Sequence, residues 1–125
     1  MRLLLDTHVF LWFLADAREL TKEARREIEG AEEVCVSAAS IWEIAIKAAL
    51  GKLEIDVSHA HAGIEASGFV ELPVRAAHAA AVAGLPAHHR DPFDRLLVAQ
   101  ATTEPLGLLT ADRALAPYSS LVRLV

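Results

Sequence analysis

The sequence predicts an α/β fold: a parallel sheet covered by helices on both faces. Short apolar runs such as RLLL, EVCVS and GLLT alternate along the chain with longer stretches of helical periodicity. Those runs also lack the period-two alternation of a half-exposed strand, which marks strands buried on both sides. The chain has 125 residues, 54% hydrophobic and 23% charged. With no internal repeat, low-complexity segment or linker, it is expected to form a single domain over residues 1–125.

RLLLD opens the chain as a short buried strand, and VFLWFLA follows with a helical pattern. TKEARREIEGA is an amphipathic helix with Thr21 as N-cap and Gly30 at its end. EVCVS is the second strand, rich in β-branched residues, and SAASIWEIAIKAALG is a helix stopped by Gly51. VSHAHAGIEASG reads as helix, FVELPV as a third strand, and RAAHAAAVAGLP as an alanine-rich helix closed by Gly84 and Pro86. DPFDRLLVAQATTEP is a helix closed by Pro105, GLLT is a fourth strand, and SSLVRLV supplies a fifth at the carboxyl end.

The formal net charge of −5 argues against nonspecific nucleic-acid binding over the whole surface, although the acids crowd the first part of the chain and leave room for a local basic groove. MRLLLDTHVFLWFLADAR imitates a secretory leader, but Asp6 and His8 interrupt its apolar stretch. No apolar run approaches the ~18 residues of a membrane span. The single cysteine, Cys35, excludes an intrachain disulfide and reads as a buried thiol. A chain in the reducing cytoplasm, without membrane association, is expected.

Ligands of open parallel sheets bind beyond the carboxyl ends of the strands. RLLLD ends in Asp6, EVCVS leads within two helical turns to Glu43, and GLLT is followed by Asp112. The helix that begins at Pro92 can deliver Asp94 to the same edge, on the face shared with Leu97, Val98 and Ala101. Asp6, an acid ending a buried strand, has few structural uses, but the other acids each have a plainer reading. Asp91, just before Pro92, is an N-cap; Asp94 either completes a capping box or joins the cluster; Asp112 is either a turn residue or a member; Glu43 can pair with Lys47 at i+4. Four neighbouring carboxylates repel one another, and the cluster persists only if protonated, paired with bases or bound to cations. All-oxygen donors favour Mg²⁺ or Mn²⁺, whereas His8, His88 and His89 make no convincing zinc set with the lone cysteine.

Four segments, LLLDTHVFLW, VSAASIWEIAIK, HRDPFDRLLVAQA and LLTADRAL, resemble in order and spacing the PIN-domain nucleases, specifically the VapC-type toxins of bacterial type II toxin–antitoxin systems. The resemblance covers essentially the whole chain. It implies a PIN-like three-layer α/β/α architecture with a central parallel sheet of four or five strands. It also implies a metal-dependent ribonuclease whose acids match Asp6, Glu43, Asp94 and Asp112, both as catalytic residues and as ligands of Mg²⁺ or Mn²⁺. Asp91, within DPFDR, carries over as a supporting residue. Thr7 and Thr110 occupy hydroxyl positions beside acids. A separately encoded cognate antitoxin and toxin dimerisation, giving a homodimer or a toxin–antitoxin hetero-oligomer, are implied as well.

The expected reaction is hydrolysis of an RNA phosphodiester by water, leaving a 5′-phosphate and a 3′-hydroxyl. Arg90, Arg95, Arg113 and Lys47 are candidates to hold flanking phosphates, with local pairing to Asp91, Asp94 or Glu43 as the alternative. VFLWFLA, with Trp12 and Phe13, together with the helix beginning at Thr21, is the expected partner groove if it is not simply core. Two other classes compete: a catalytically silent PIN-like interaction module, and an acidic metal-binding phosphotransfer domain. The latter would place a second acid beside Asp6 or a lysine after the last strand, and the chain has DTH and no lysine beyond Lys52.

Overall fold

Strand β1 (Arg2–Leu5) runs through the middle of a five-stranded sheet, and every pairing in that sheet is parallel. The order is β3-β2-β1-β4-β5, with β2 at Glu33–Ser37, β3 at Val70–Leu72, β4 at Gly107–Thr110 and β5 at Val122–Leu124. The computed structural model describes residues 1–87 and 91–125. His88, His89 and Arg90 lie outside the described residues, so the phosphate-contact expectation for Arg90 does too. The direction in which successive strands are added reverses between β1 and β4, while the strands stay parallel. The first connections build outward through β2 and β3, the later ones through β4 and β5. Such a switch point leaves a crevice at the carboxyl ends of its two strands.

Alternation along the central strands separates two cores. Leu3, Leu5, Val34, Val36 and Leu109 face helices α1 (Thr7–Ala15), α2 (Lys22–Glu29), α3 (Ala38–Ala49) and α4 (Val57–Ala66), which add Val9, Phe10, Ile28, Ile44 and Ile64. Leu4, Cys35 and Leu108 face the other way onto α6 (Pro92–Thr103), through Leu97, Val98 and Ala101. Both faces are therefore covered, as the apolar strands require, and each fully buried Leu or Phe contributes ~1.5–3 kcal/mol. Helices α1 and α4 pack so closely that a Cβ on Gly63 would fall 2.8 Å from Leu14 Cδ2.

Most expected elements appear, with physical reasons for the differences. Helix α1 starts two residues before VFLWFLA because the Asp6 carboxylate accepts a hydrogen bond from Val9 N at 2.8 Å. Thr21 caps α2 as expected, accepting from Ala24 N at 3.1 Å. Strand β3 stops at three residues because Pro73 has no amide hydrogen to continue the ladder, and at the sheet edge it is mostly exposed. The alanine-rich segment is α5 (Ala76–Ala81) followed by a 3-10 turn at Val82–Gly84. A 3-10 stretch at Arg113–Tyr118, which the sequence did not announce, joins β4 to β5. Cys35 is buried, and desolvation pushes its thiol up to about 11, which leaves it chemically quiet.

A polar seam crosses the α6 side of the sheet. His78 is fully buried on α5; its Nδ1 accepts from Arg75 N at 3.0 Å, and its Nε2 lies 2.6 Å from Glu104 Oε2. With Nδ1 used as an acceptor, Nε2 carries the proton and donates it to Glu104. Gln100, also fully buried, accepts from Ser37 Oγ at 2.6 Å and donates to Pro73 O at 3.2 Å. Together these bonds tie α5 and α6 to the ends of β2 and β3. Replacing His78 by Ala leaves a cavity and a backbone amide without its partner, so His78→Ala should lower urea-unfolding stability by ~2–4 kcal/mol. Glu104→Gln, which keeps an acceptor on a half-exposed side chain, should cost under about 1 kcal/mol.

Candidate active site at the carboxyl edge of the sheet

Asp6 is the residue immediately after β1 and retains 6% of its surface. One carboxylate oxygen caps α1 through Val9 N, and the other accepts from Thr110 Oγ1 at the end of β4. The backbone amide of Asp6 donates to Leu109 O at 3.0 Å, locking the strand ends on both sides of the switch point. Burial nevertheless dominates, raising the Asp6 pKa above the usual carboxylate value despite these bonds; Glu43 adds to the rise and His8 works against it. A negative charge here is held where water cannot fully solvate it.

Thr110 couples two acids. Besides donating to Asp6, its Oγ1 accepts from the backbone amide of Asp112 at 3.0 Å. Asp112 itself caps the 3-10 stretch, accepting from Ala114 N at 2.9 Å, which is its plainer reading. On the other side of Asp6, Thr7 Oγ1 lies 2.7 Å from Glu43 Oε1 and 3.0 Å from Ser40 Oγ. Thr7, Ser40 and Glu43 are all buried, and Glu43 keeps only 3% of its surface. The second Glu43 oxygen accepts from Lys47 Nζ at 2.6 Å, the i+4 pair that the helix spacing allows. The Lys47 ammonium is favoured first by that hydrogen bond and further by the charges of Glu43, Asp91 and Asp94, which raise its pKa.

Asp91 is the N-cap of α6, accepting from Phe93 N at 2.8 Å and Asp94 N at 3.1 Å, with Pro92 in the first turn. Asp94 stands in that first turn, half-buried. The structure thus brings the α6 amino end towards Lys47 on α3, whose field links Asp91 and Asp94 to Glu43. Arg95 turns to its own layer, where Nη1 donates to Pro86 O at 2.9 Å and to Tyr118 Oη at 3.1 Å. Arg113 is exposed next to Asp112. Ser40 was missed in the sequence, since a serine within an apolar helix carries no signal until Thr7 is known to face it. Ser37 and Gln100, which hold α3 and α6 together behind the site, were invisible for the same reason.

The donor set is oxygen throughout, and burial raises the Asp6 carboxyl, so a hard cation suits these residues in chemistry and in charge. Among the described residues, no three acidic, histidine or cysteine side chains converge closely enough to enclose an ion by themselves. Ligation here would join one or two carboxylates to water and substrate oxygens, the manner in which Mg²⁺ is usually held.

A parallel sheet of this order, with acids and hydroxyls gathered at its switch point, is the arrangement of a PIN domain, and the chain matches the PIN domain family over residues 3–120. It belongs to that family. Within it, the chain is 32% identical over 114 residues to "Ribonuclease VapC22" of Mycobacterium tuberculosis, a match covering 90% of this chain and 88% of the relative. Among solved structures, its fold is similar to VapBC2 of Rickettsia felis bound to a promoter DNA fragment, with TM-score 0.69, 12% identity, and 100% and 98% of the two chains covered. FitAcB of Neisseria gonorrhoeae matches with TM-score 0.62 and 21% identity over 91% of this chain and 89% of that one. A toxin–antitoxin complex from Klebsiella pneumoniae matches with TM-score 0.62 and 19% identity over 91% and 90%.

The buried Asp6 charge makes a stability prediction whose sign follows from its raised pKa. The folded chain binds this proton more tightly than the unfolded chain does, so the group's contribution is present at low pH and lost as pH rises through the folded value. In chelator at neutral pH, Asp6→Asn should therefore melt above the parent, since Asn still caps α1. The gain should shrink as pH falls into the carboxylate range, where the parent protonates. Thermal scans from pH 4 to pH 8 check it, and an Asp6→Asn protein that melts lower at neutral pH would contradict the assignment of an uncompensated charge.

Proposed function

We propose that this chain is an endoribonuclease dependent on Mg²⁺ or Mn²⁺, acting as a single-domain toxin in the cytoplasm and neutralised by a cognate antitoxin. The observation that carries the reading is the linkage of Asp6 and Asp112 through Thr110 at the switch point, with Thr7 joining Glu43 to the same edge. The ribonuclease assignment is supported by the 32%-identical relative, itself named a ribonuclease, and the antitoxin by the toxin–antitoxin complexes among its structural neighbours.

Of Asp6, Glu43, Asp94 and Asp112, one or two carboxylates would hold the cation directly and the others through water, with Asp91 fixing the helix that carries Asp94. A divalent cation supplies Lewis acidity: it acidifies water and offsets charge on the phosphate oxygens. Thr7 and Thr110 orient the acids by hydrogen bonding to Glu43 and Asp6. Carboxylates at this edge also accept the proton of the attacking water, and in-line attack leaves a 5′-phosphate and a 3′-hydroxyl. Lys47, Arg113 and Arg90 are the cations best placed in sequence to hold flanking phosphates; the described bonds of Arg95 fasten it within the protein.

The antitoxin surface is a groove of about 390 Å³ lined by Leu11, Trp12 and Leu14 of α1 together with Leu53, Ile55 and His59. Its far wall is the segment leading into α4 and not α2, whose Ala24 and Ile28 are buried in the core. An amphipathic helix of the antitoxin fits its apolar lining, and a toxin homodimer within a larger hetero-oligomer completes the assembly.

Cleavage of RNA with Mn²⁺ or Mg²⁺ should be abolished by chelator and by Asp6→Asn. Thr110→Val, which removes the hydroxyl shared by Asp6 and Asp112, should lower activity or metal affinity by ~10–100-fold. Mapping of the ends with a 5′-phosphate-dependent exonuclease checks the chemistry. Equal cleavage by the parent and Asp6→Asn would remove the nuclease assignment.

A further inference from the structure

We propose that Trp42 and Phe93 form a platform on which an unpaired base of the RNA stacks beside the acidic edge. The proposal rests on the ribonuclease reading above and narrows its substrate to RNA that is single-stranded at the cleavage point. Trp42 exposes 62% of its surface, an unusual position for the largest side chain, and its ring meets Phe93 edge-on, with centroids 5.1 Å apart and planes at 72°. Each aromatic directly precedes a site acid: Trp42 comes before the buried Glu43 on α3, and Phe93 before Asp94 in the first turn of α6. Two elements that pack on each other thus each bring one acid to the site and one ring to its rim.

The edge-on contact matters because it fixes the indole while leaving a face open. A base placed there meets a ring already held in position, so little side-chain freedom is lost on binding. Stacking is tolerant of base identity, since every base has a π-face, and it requires a base that is not already stacked within a duplex. A phosphodiester at the acids necessarily has nucleosides attached on either side, which places a base within reach of the rim. The Lys47 ammonium, on the same helix as Trp42 and bonded to Glu43, supplies the positive charge that a flanking phosphate needs. Ile46 and Leu50 continue the exposed face of α3 one and two turns farther on, away from the aromatic pair. A protein covering that face is the competing occupant.

Trp42 lies at the surface, so Trp42→Ala should fold with an unchanged melting temperature. With an unstructured RNA oligonucleotide and Mn²⁺, Trp42→Ala should raise KM by roughly 5- to 150-fold with little change in kcat. Trp42→Phe should recover most of the loss, and a fully paired duplex of the same sequence should bind poorly to all three proteins. In the Asp6→Asn background, the oligonucleotide should quench tryptophan fluorescence, and Trp42→Phe should remove most of that quenching. An unchanged KM overturns the platform, as does a rise in KM accompanied by dissociation of the parent oligomer in light scattering, which would assign Trp42 to a protein interface. Failure of the parent to cleave any RNA defeats the ribonuclease reading instead, and oligonucleotide binding to Asp6→Asn then decides the platform by itself.

Discussion

Asp6 places a carboxylate at the end of the central strand of the sheet, and the surrounding structure is organised by what that requires. A charge with 6% of its surface exposed keeps little hydration, so hydrogen bonds must replace water. The amide of Val9 supplies one and the hydroxyl of Thr110 the other. Each has a structural consequence. The first starts α1 immediately after β1, and the second pins β4 beside it. These bonds do not suffice to offset the loss of water: burial still raises the Asp6 pKa. The unspent part of the electrostatic cost is what a cation can relieve.

The second acid is handled differently. Glu43 is as buried as Asp6, but its charge is answered from within the chain, by Thr7 on one oxygen and Lys47 on the other. Lys47 is also drawn by Asp91 and Asp94, so one ammonium balances acids from two helices. This arrangement balances charge where α3 and the amino end of α6 approach each other. It also brings the aromatic neighbours of those acids, Trp42 and Phe93, into contact at the rim. Geometry that begins as charge compensation therefore also shapes the rim beside the acids.

Behind the acids, the polar seam of Ser37, Gln100, His78 and Glu104 sets the spacing of the helices. Ser37 ends β2 and caps α3 through Ala39 N, while its hydroxyl donates to Gln100 on α6. The helices that carry Glu43 and Asp94 are thus referenced to one another through buried side chains remote from solvent. Such bonds are worth more for position than for net stability, since a mispaired member would leave a buried group unsatisfied. Among the described residues, no buried side-chain oxygen or nitrogen lacks a hydrogen-bond partner.

What the sequence determined by itself was local and periodic: apolar runs long enough to be buried strands, the Thr21 and Asp91 caps, the Gly51 stop, and the placing of Asp6, Glu43 and Asp112 after β1, β2 and β4. These follow from propensity, capping and the rule that ligands gather at carboxyl ends, all of which act over a few residues. Only the tertiary structure decided which hydroxyl meets which acid, that Ser40 joins Thr7 and Glu43, that Arg95 turns inward to Pro86 and Tyr118, and that β3 stops at three residues. The reason is separation along the chain: Thr110 reaches Asp6 across 104 positions, and Gln100 reaches Ser37 across 63. No local pattern encodes contacts of that kind; they exist once the sheet order has brought the strand ends together.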